Sequence, residues 1–329
     1  PIAEFGAVRQ LLGDSQSRCL ALALHWRRLG WLKDSGAQAV LESSIAKLTM
    51  SEDCLRVSDQ AVQVHGGYGY IREYPVEQAY RDVKLYTLGG GTSEIQQRII
   101  LDIVMKDYQE GRFPARVPTG EPFLTALAGA EQLARIAELR VSGRGSSVSL
   151  IQGSLRHGQP EIGWAIAMDE LAAQDRLESF PSGPASGPVP PRVRIRAAAC
   201  ACGFAARLLE RGLLQAVELR QAHPGQELQE LLFPLARMRA EIDTARLLTW
   251  RAAQAADLGL PETAALAAAA RLRAADAATQ ALLRVSDLCG AEPALARLFH
   301  TVASLRIAGG ADATLREELA SFAITQAQC

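Results

Sequence analysis

The feature that most limits what this chain can fold into is an internal repeat. Leu24-His25-Trp26-Arg27 returns as Leu248-Thr249-Trp250-Arg251, and Leu88-Gly89-Gly90-Gly91 returns as Ile307-Ala308-Gly309-Gly310. Both pairs lie about 220 residues apart, so one supersecondary unit is written twice. Helices carry both copies, because alanine and leucine dominate and aromatic residues make up only 5%. From Ala3 to about Lys33 apolar residues recur at helical spacing (Phe5, Val8, Leu12, Cys19, Leu22, Trp26, Leu29), and this stripe, with His25 beside Trp26, is expected in the core. A second helix starts near Ala37, carries Ile45, Leu48, Leu55 and Val62, and stops at Gly66-Gly67. After a loop over Tyr68–Pro75 come a short helix, Val76–Tyr86, and a turn at Gly89–Gly91. Thr92 or Ser93 then caps a last helix with Ile95, Ile99 and Ile103 on one face.

The second copy reads as four helices, about 193–221, 225–257, 261–289 and 293–322, one more at its start than the first copy has. A four-helix bundle closes its core only with all four helices present. The expected fold is therefore all-α, with tandem four-helix bundles, the first lacking its opening helix, so that the chain begins partway through a domain. The expected division is an incomplete bundle over 1–106, a helical linker region over 107–191 and a second bundle over 192–329. The linker region holds amphipathic segments at about 122–140 and 161–178, with a Gly/Ser-rich stretch, Ser142–Ser147, between them. It ends in the Pro/Gly/Ser run Pro181–Pro191.

Composition removes several functions. A formal net charge of -1 gives no basic field for nucleic acid. The alanine-rich stretch near 263–283 is interrupted by Arg271, Arg273 and Asp276, which reads as a water-soluble helix and not a membrane span. The cysteines at 19, 54, 200, 202, 289 and 329 lack metal-ligand spacing, so no metal site is expected and a reducing, cytoplasmic setting is.

The chemistry concentrates in Gln63-Val64-His65-Gly66-Gly67-Tyr68-Gly69-Tyr70, then Tyr74-Pro75-Val76-Glu77, Arg81-Asp82 and Gly90-Gly91-Thr92-Ser93-Glu94-Ile95-Gln96. Glycines 66 and 67 leave room for a ligand to approach the backbone. Thr92, Ser93 and the N–H groups of a helix start suit a pyrophosphate, and Gln63 can donate to phosphate or ribose oxygens. His65 is expected to be structural, Arg81 and Asp82 to form an ion pair or cap, and Tyr68 and Tyr70 to pack on an adenine or fill the loop.

In this order and spacing these motifs make residues 1–105 resemble the C-terminal helical domain of the acyl-CoA dehydrogenases, with Lys47 at the family's Ala-Lys position. The resemblance implies FAD as cofactor. Gln63, Gly66 and Gly67 are then expected on its pyrophosphate and adenosine side, with Thr92 and Glu94 at the turn contacting its phosphate or ribitol. The family commonly shares this cofactor between subunits, which implies a homo- or hetero-oligomer. It also implies an acyl-CoA substrate, dehydrogenation between its α and β carbons as in fatty acid metabolism, and an electron-transfer flavoprotein as electron acceptor. The family's catalytic glutamate often precedes the glycine turn, where this chain has Gly90. In one branch the base comes instead from the opening helix of the bundle, so no residue here is named as the base. Residues 193–322 resemble the family as a degenerate copy. Leu288-Cys289-Gly290-Ala291-Glu292 stands for the glycine motif, His300-Thr301 for Arg81-Asp82, and Ala311 for Thr92. The alternative implied by these losses is a non-catalytic assembly or scaffold subunit.

Overall fold

The computed structural model describes residues 1–112, 189–290 and 293–328. The segments expected at about 122–140 and 161–178, Ser142–Ser147 and most of the Pro181–Pro191 run lie outside the described residues. Among the described residues every regular element is helical. A short 3-10 turn (Ile2–Glu4) leads into α1 (Gly6–Asp34) and α2 (Val40–His65), which a second 3-10 turn (Gly66–Tyr70) joins to α3 (Pro75–Tyr86) and α4 (Ser93–Gln109). The second half supplies α5 (Pro191–Ala222), α6 (Gln229–Asp257), α7 (Thr263–Cys289), α8 (Pro293–Ile307) and α9 (Asp312–Gln328). The single helix expected over about 293–322 is two. Gly309 and Gly310 both take positive φ, 86° and 109°, which a right-handed helix cannot carry through.

The two halves repeat one another in backbone detail. Gly66 ends α2 with φ 59° and Gly290 ends α7 with φ 76°; Gly90 and Gly91 (68° and 93°) match Gly309 and Gly310. Thus α1 corresponds to α6, α2 to α7, α3 to α8 and α4 to α9, while no described helix of the first half corresponds to α5. Contacts between the halves are reciprocal. α1 packs along α9 and α6 along α4, and α1 also meets α7 as α2 meets α6. The halves are therefore related by an approximate two-fold axis and share one hydrophobic cluster, in which Ile45, Leu48, Ile100 and Val104 join the side chains of α5 to α7. Alanine makes this possible: Ala267 to Ala270, Ala274, Ala278 and Ala281 are fully buried, so the helices of the second half approach closely without losing helix propensity.

Two helices bury a different face from the one their apolar residues predict. On α1 the buried residues are Gly13, Ser17, Ala21, His25, Arg28 and Leu32, whereas Phe5 and Trp26 are exposed. The small and polar face lies against the second half, where Gly13 brings the backbones together: a Cβ there would stand 2.1 Å from the Arg316 carbonyl oxygen. Arg9 reaches Glu317 beside this crossing, and Gln10 Nε2 donates to the Ala313 carbonyl at 3.1 Å. On α4 the buried set is Ser93, Gln96, Gln97, Ile100, Leu101, Val104 and Met105, with Ile95 exposed. The helix is held between α2 and α6, and that sandwich selects its face.

Candidate functional site

The glycine turn before α4 is built by hydrogen bonds that draw its carbonyls inward. Gln96 Nε2 donates to the Gly90 carbonyl at 2.9 Å and Lys47 Nζ donates to the Gly91 carbonyl. One residue further, Gln97 Nε2 donates to the Ser93 carbonyl at 3.2 Å. Thr92 is the N-cap, its hydroxyl oxygen accepting from the Ile95 N–H at 3.4 Å, and Ser93 N–H closes the turn on the Thr87 carbonyl at 3.2 Å. Among the described residues no acceptor meets the N–H groups of Gly90, Gly91 or Thr92. They stand at the positive end of a helix dipole, an arrangement that attracts anions. Glu94 is exposed, and its carboxyl is held below the usual range by its own backbone N–H and by the Thr92 hydroxyl. Partial burial pushes the Lys47 ammonium down, against the attraction of Glu52 and Glu94.

Two grooves flank this turn. One, of about 520 Å³, runs past Glu52, Arg56, Tyr80, Lys84, Glu94 and Arg237. The other, of about 780 Å³ and largely apolar, lies between Leu29, Val40, Lys47, Gly90, Gln96 and Ile99. A Cβ on Gly90 would meet nothing within 4 Å, whereas one on the equivalent Gly309 would lie 3.4 Å from Arg194 of α5. The second groove thus lies on the side of the first half that α5 covers in the second.

The remaining sequence-predicted residues stand elsewhere. Gln63, Gly66 and Gly67 are exposed at the C-terminal end of α2, with open space around both glycines. Gly66 takes the positive φ that ends the helix, and Gly67 does not. Gly69 serves packing: its Cβ would lie 2.5 Å from the Val62 carbonyl oxygen. Because α3 runs back along α2, the Thr92–Glu94 turn faces Lys47 and Glu52, roughly 20–30 Å along the helix from Gly66 at 1.5 Å per residue. The five candidate residues therefore form two clusters, not one.

His65 Nδ1–H donates to the Ala61 carbonyl at 2.8 Å, and its ring meets Tyr74 edge-on at 6.4 Å, so it ties the helix end. Arg81 forms its bidentate pair with Glu77, one turn earlier, and not with Asp82, because positions four apart share a helix face and adjacent ones do not. Arg237 was not legible as a site residue. It enters the groove from α6, and no local motif or spacing connects it with the Thr92 turn.

The second copy keeps the turn's shape but fills it. Arg271, fully buried, donates to the carbonyls of Ala308 (2.7 Å) and Gly310 (3.2 Å) and pairs with Asp312 (3.0 Å), which Arg306 also holds at 2.8 Å. Arg271 stands where Lys47 stands in the first copy. The carboxylate at the start of α9 occupies the position of Ser93, and Ala311 has no cap oxygen to offer in place of Thr92.

A pair of related helical bundles, one with an open glycine turn at a helix start and one with that turn plugged by charge, defines the architecture. The acyl-CoA dehydrogenase C-terminal domain matches the chain twice, over residues 1–105 and 192–324. The chain belongs to the acyl-CoA dehydrogenase family. Over 105 residues it is 40% identical to the CarC subunit of the caffeyl-CoA reductase-Etf complex of Acetobacterium woodii, covering 32% of this chain and 28% of that one. It is 40% identical over 106 residues to the probable acyl-CoA dehydrogenase YngJ of Bacillus subtilis, with coverage of 32% and 28%. To the human short-chain specific acyl-CoA dehydrogenase it is 35% identical over 114 residues, with coverage of 33% and 26%. The chain thus spans less than a third of the length of these relatives. The crystal structure of an acyl-CoA dehydrogenase complexed with FAD from Bacillus anthracis superposes with a TM-score of 0.66 at 17% identity, covering 99% of this chain and 50% of that one. That likeness shows that the fold extends through both halves. Among the described residues no helix is long and apolar enough to cross a membrane, and no cluster of side chains could hold a metal ion.

Proposed function

We propose that this chain is the helical part of a flavin-dependent, cytoplasmic enzyme that removes hydrogen across the α,β carbons of an acyl-CoA thioester, with an electron-transfer flavoprotein as partner. The observation that carries this reading is the glycine turn. Its carbonyls are bonded inward by Lys47 and Gln96 while the N–H groups of Gly90, Gly91 and Thr92 stay open at the start of α4. Such donors fit a phosphate of FAD. FAD, when bound, supplies the two-electron chemistry of the reaction. Thr92 and Glu94 hold one end of it, and Gln63 with the open backbone at Gly66 and Gly67 contacts the pyrophosphate and adenosine side. The distance between the two clusters suits an extended dinucleotide, or two dinucleotides shared across an oligomer. Gly90 provides no base. Glu94 is bonded to its own turn, so in this reading the base comes from another part of the whole protein.

The test is the whole protein purified with its bound chromophore. A flavin spectrum that bleaches anaerobically on addition of an acyl-CoA, and is lost in the Gln63→Leu/Thr92→Val double variant, supports the reading. A whole protein that neither retains nor rebinds FAD sinks it and leaves the non-catalytic assembly role.

A further inference from the structure

The second half has lost the cap threonine and most of the glycine motif, yet it reaches into the first half's site. Arg237 of α6 makes a bidentate pair with Glu52 on α2, at 2.7 and 3.0 Å, and its Nε donates to Gln97 Oε1 at 3.2 Å. Gln97 is buried and uses its amide N–H on the Ser93 carbonyl, in the first turn of α4. A chain of donors therefore runs from the second half through Gln97 to the residue that follows the Thr92 cap. Arg237 also lines the groove that contains Ser93 and Glu94.

Its position within the two-fold arrangement is informative. At the reciprocal crossing, Gly13 of α1 lets the backbone touch Arg316 of α9, the residue equivalent to Gln97. At the crossing next to the open turn that backbone contact is replaced by a guanidinium whose fork is filled on both sides. Arginine can do this because its donors are planar and fixed, so one side chain sets the spacing of two partners at once. With Glu52 on α2 and Gln97 on α4 both bonded, the start of α4 is fixed against the helix that carries Lys47.

We infer that Arg237 is a positioning residue for the Thr92–Glu94 turn, and that the degenerate second bundle serves the cofactor site of the first by presenting it. This rests on the reading of that turn as an FAD contact. The experiment uses the full chain in three variants. Arg237→Met removes the fork. Arg237→Lys keeps a cation for Glu52 and loses the two-sided geometry. Arg284→Met removes a bidentate pair of the same kind, Arg284 with Glu241, that lies wholly within the second half. Hydrogen exchange at the amides of residues 92–97 is expected to be roughly threefold to tenfold faster in Arg237→Met, the range set by one net hydrogen bond. It should be unchanged in Arg284→Met. Arg237→Lys is expected to recover thermal stability without recovering that protection. In the whole protein, FAD dissociation constants are expected to rise by a similar factor for Arg237→Met and Arg237→Lys, and not for Arg284→Met. Equal exchange at 92–97 in Arg237→Met and Arg284→Met overturns the inference, as does full recovery by lysine. If the whole wild-type protein binds no FAD, the functional reading falls while the exchange comparison still decides the role of Arg237.

Discussion

Trp26 on α1 and Trp250 on α6 occupy equivalent positions about 220 residues apart, yet Trp26 is 69% exposed and Trp250 is 3% exposed. The difference follows from the helix inventory: α5 packs along α6 and α7, and among the described residues no helix takes the equivalent place along α1 and α2. One residue type in one backbone setting thus has two energetic roles. Trp250→Ala is expected to cost about 3–5 kcal/mol, as for a large buried side chain. Trp26→Ala should change the stability of this chain by roughly 0.5 kcal/mol or less. Urea unfolding of the two variants checks this, and equal losses would mean that Trp26 is covered.

Glycines within one helix divide in the same way. A Cβ at Gly13 would strike the Arg316 backbone, whereas one at Gly30 would meet nothing within 4 Å. Gly13→Ala must push α1 and α9 apart and is expected to cost about 1–3 kcal/mol. Gly30→Ala gains helix propensity at an exposed position and should stabilise by about 0.5–1 kcal/mol. Thermal midpoints that move in opposite directions are the expected result.

What the sequence made legible depended on the range of the interaction. The helix end at Gly66, the turn at Gly89–Gly91 and a cap at Thr92 or Ser93 were readable because each is decided within a few residues. The buried faces of α1 and α4 were not, since tertiary packing chose small and polar residues over the apolar stripe through Trp26 and over Ile95. The separation of Gln63 from Thr92 was also hidden: neighbouring motifs in sequence were carried apart when α3 folded back along α2. Arg237 was beyond reach because its partners, Glu52 and Gln97, belong to the other copy.

The cation under each glycine turn gives a comparison within one chain. Arg271, fully buried, satisfies the Ala308 and Gly310 carbonyls and a carboxylate, while Lys47, only partly buried, serves the Gly91 carbonyl. Arg271→Met leaves the two carbonyls without a donor and Asp312 with Arg306 alone, and is expected to cost about 2–4 kcal/mol. Lys47→Met should cost about 1 kcal/mol and loosen the open turn, because water can replace the lost donor there. Denaturant titration measures the first effect, and amide exchange at Gly91–Glu94 measures the second.

His25 lies at the crossing of α1 and α6, 2% exposed, with Nε2 at 2.9 Å from Thr244 Oγ1. The Thr244 hydroxyl already donates to the Ala240 carbonyl at 2.7 Å, so it accepts from His25, and the imidazole is the neutral Nε2–H form. Burial, and then the Arg28 guanidinium, push its pKa down to about 4, against opposing pulls from Asp243 and Asp53 and a further push from Arg273. Between that value and the ordinary 6.5 the unfolded chain binds a proton that the folded chain refuses. The stability His25 contributes is therefore complete above about pH 6.5 and is lost as pH falls toward about 4, on the order of 3 kcal/mol across the window. His25→Gln keeps an amide donor near Thr244 and cannot titrate, so its stability should vary less with pH than that of the parent chain. Urea midpoints at pH 7 and pH 4.5 for the two proteins measure the difference; parallel losses would show that another group carries the acid sensitivity.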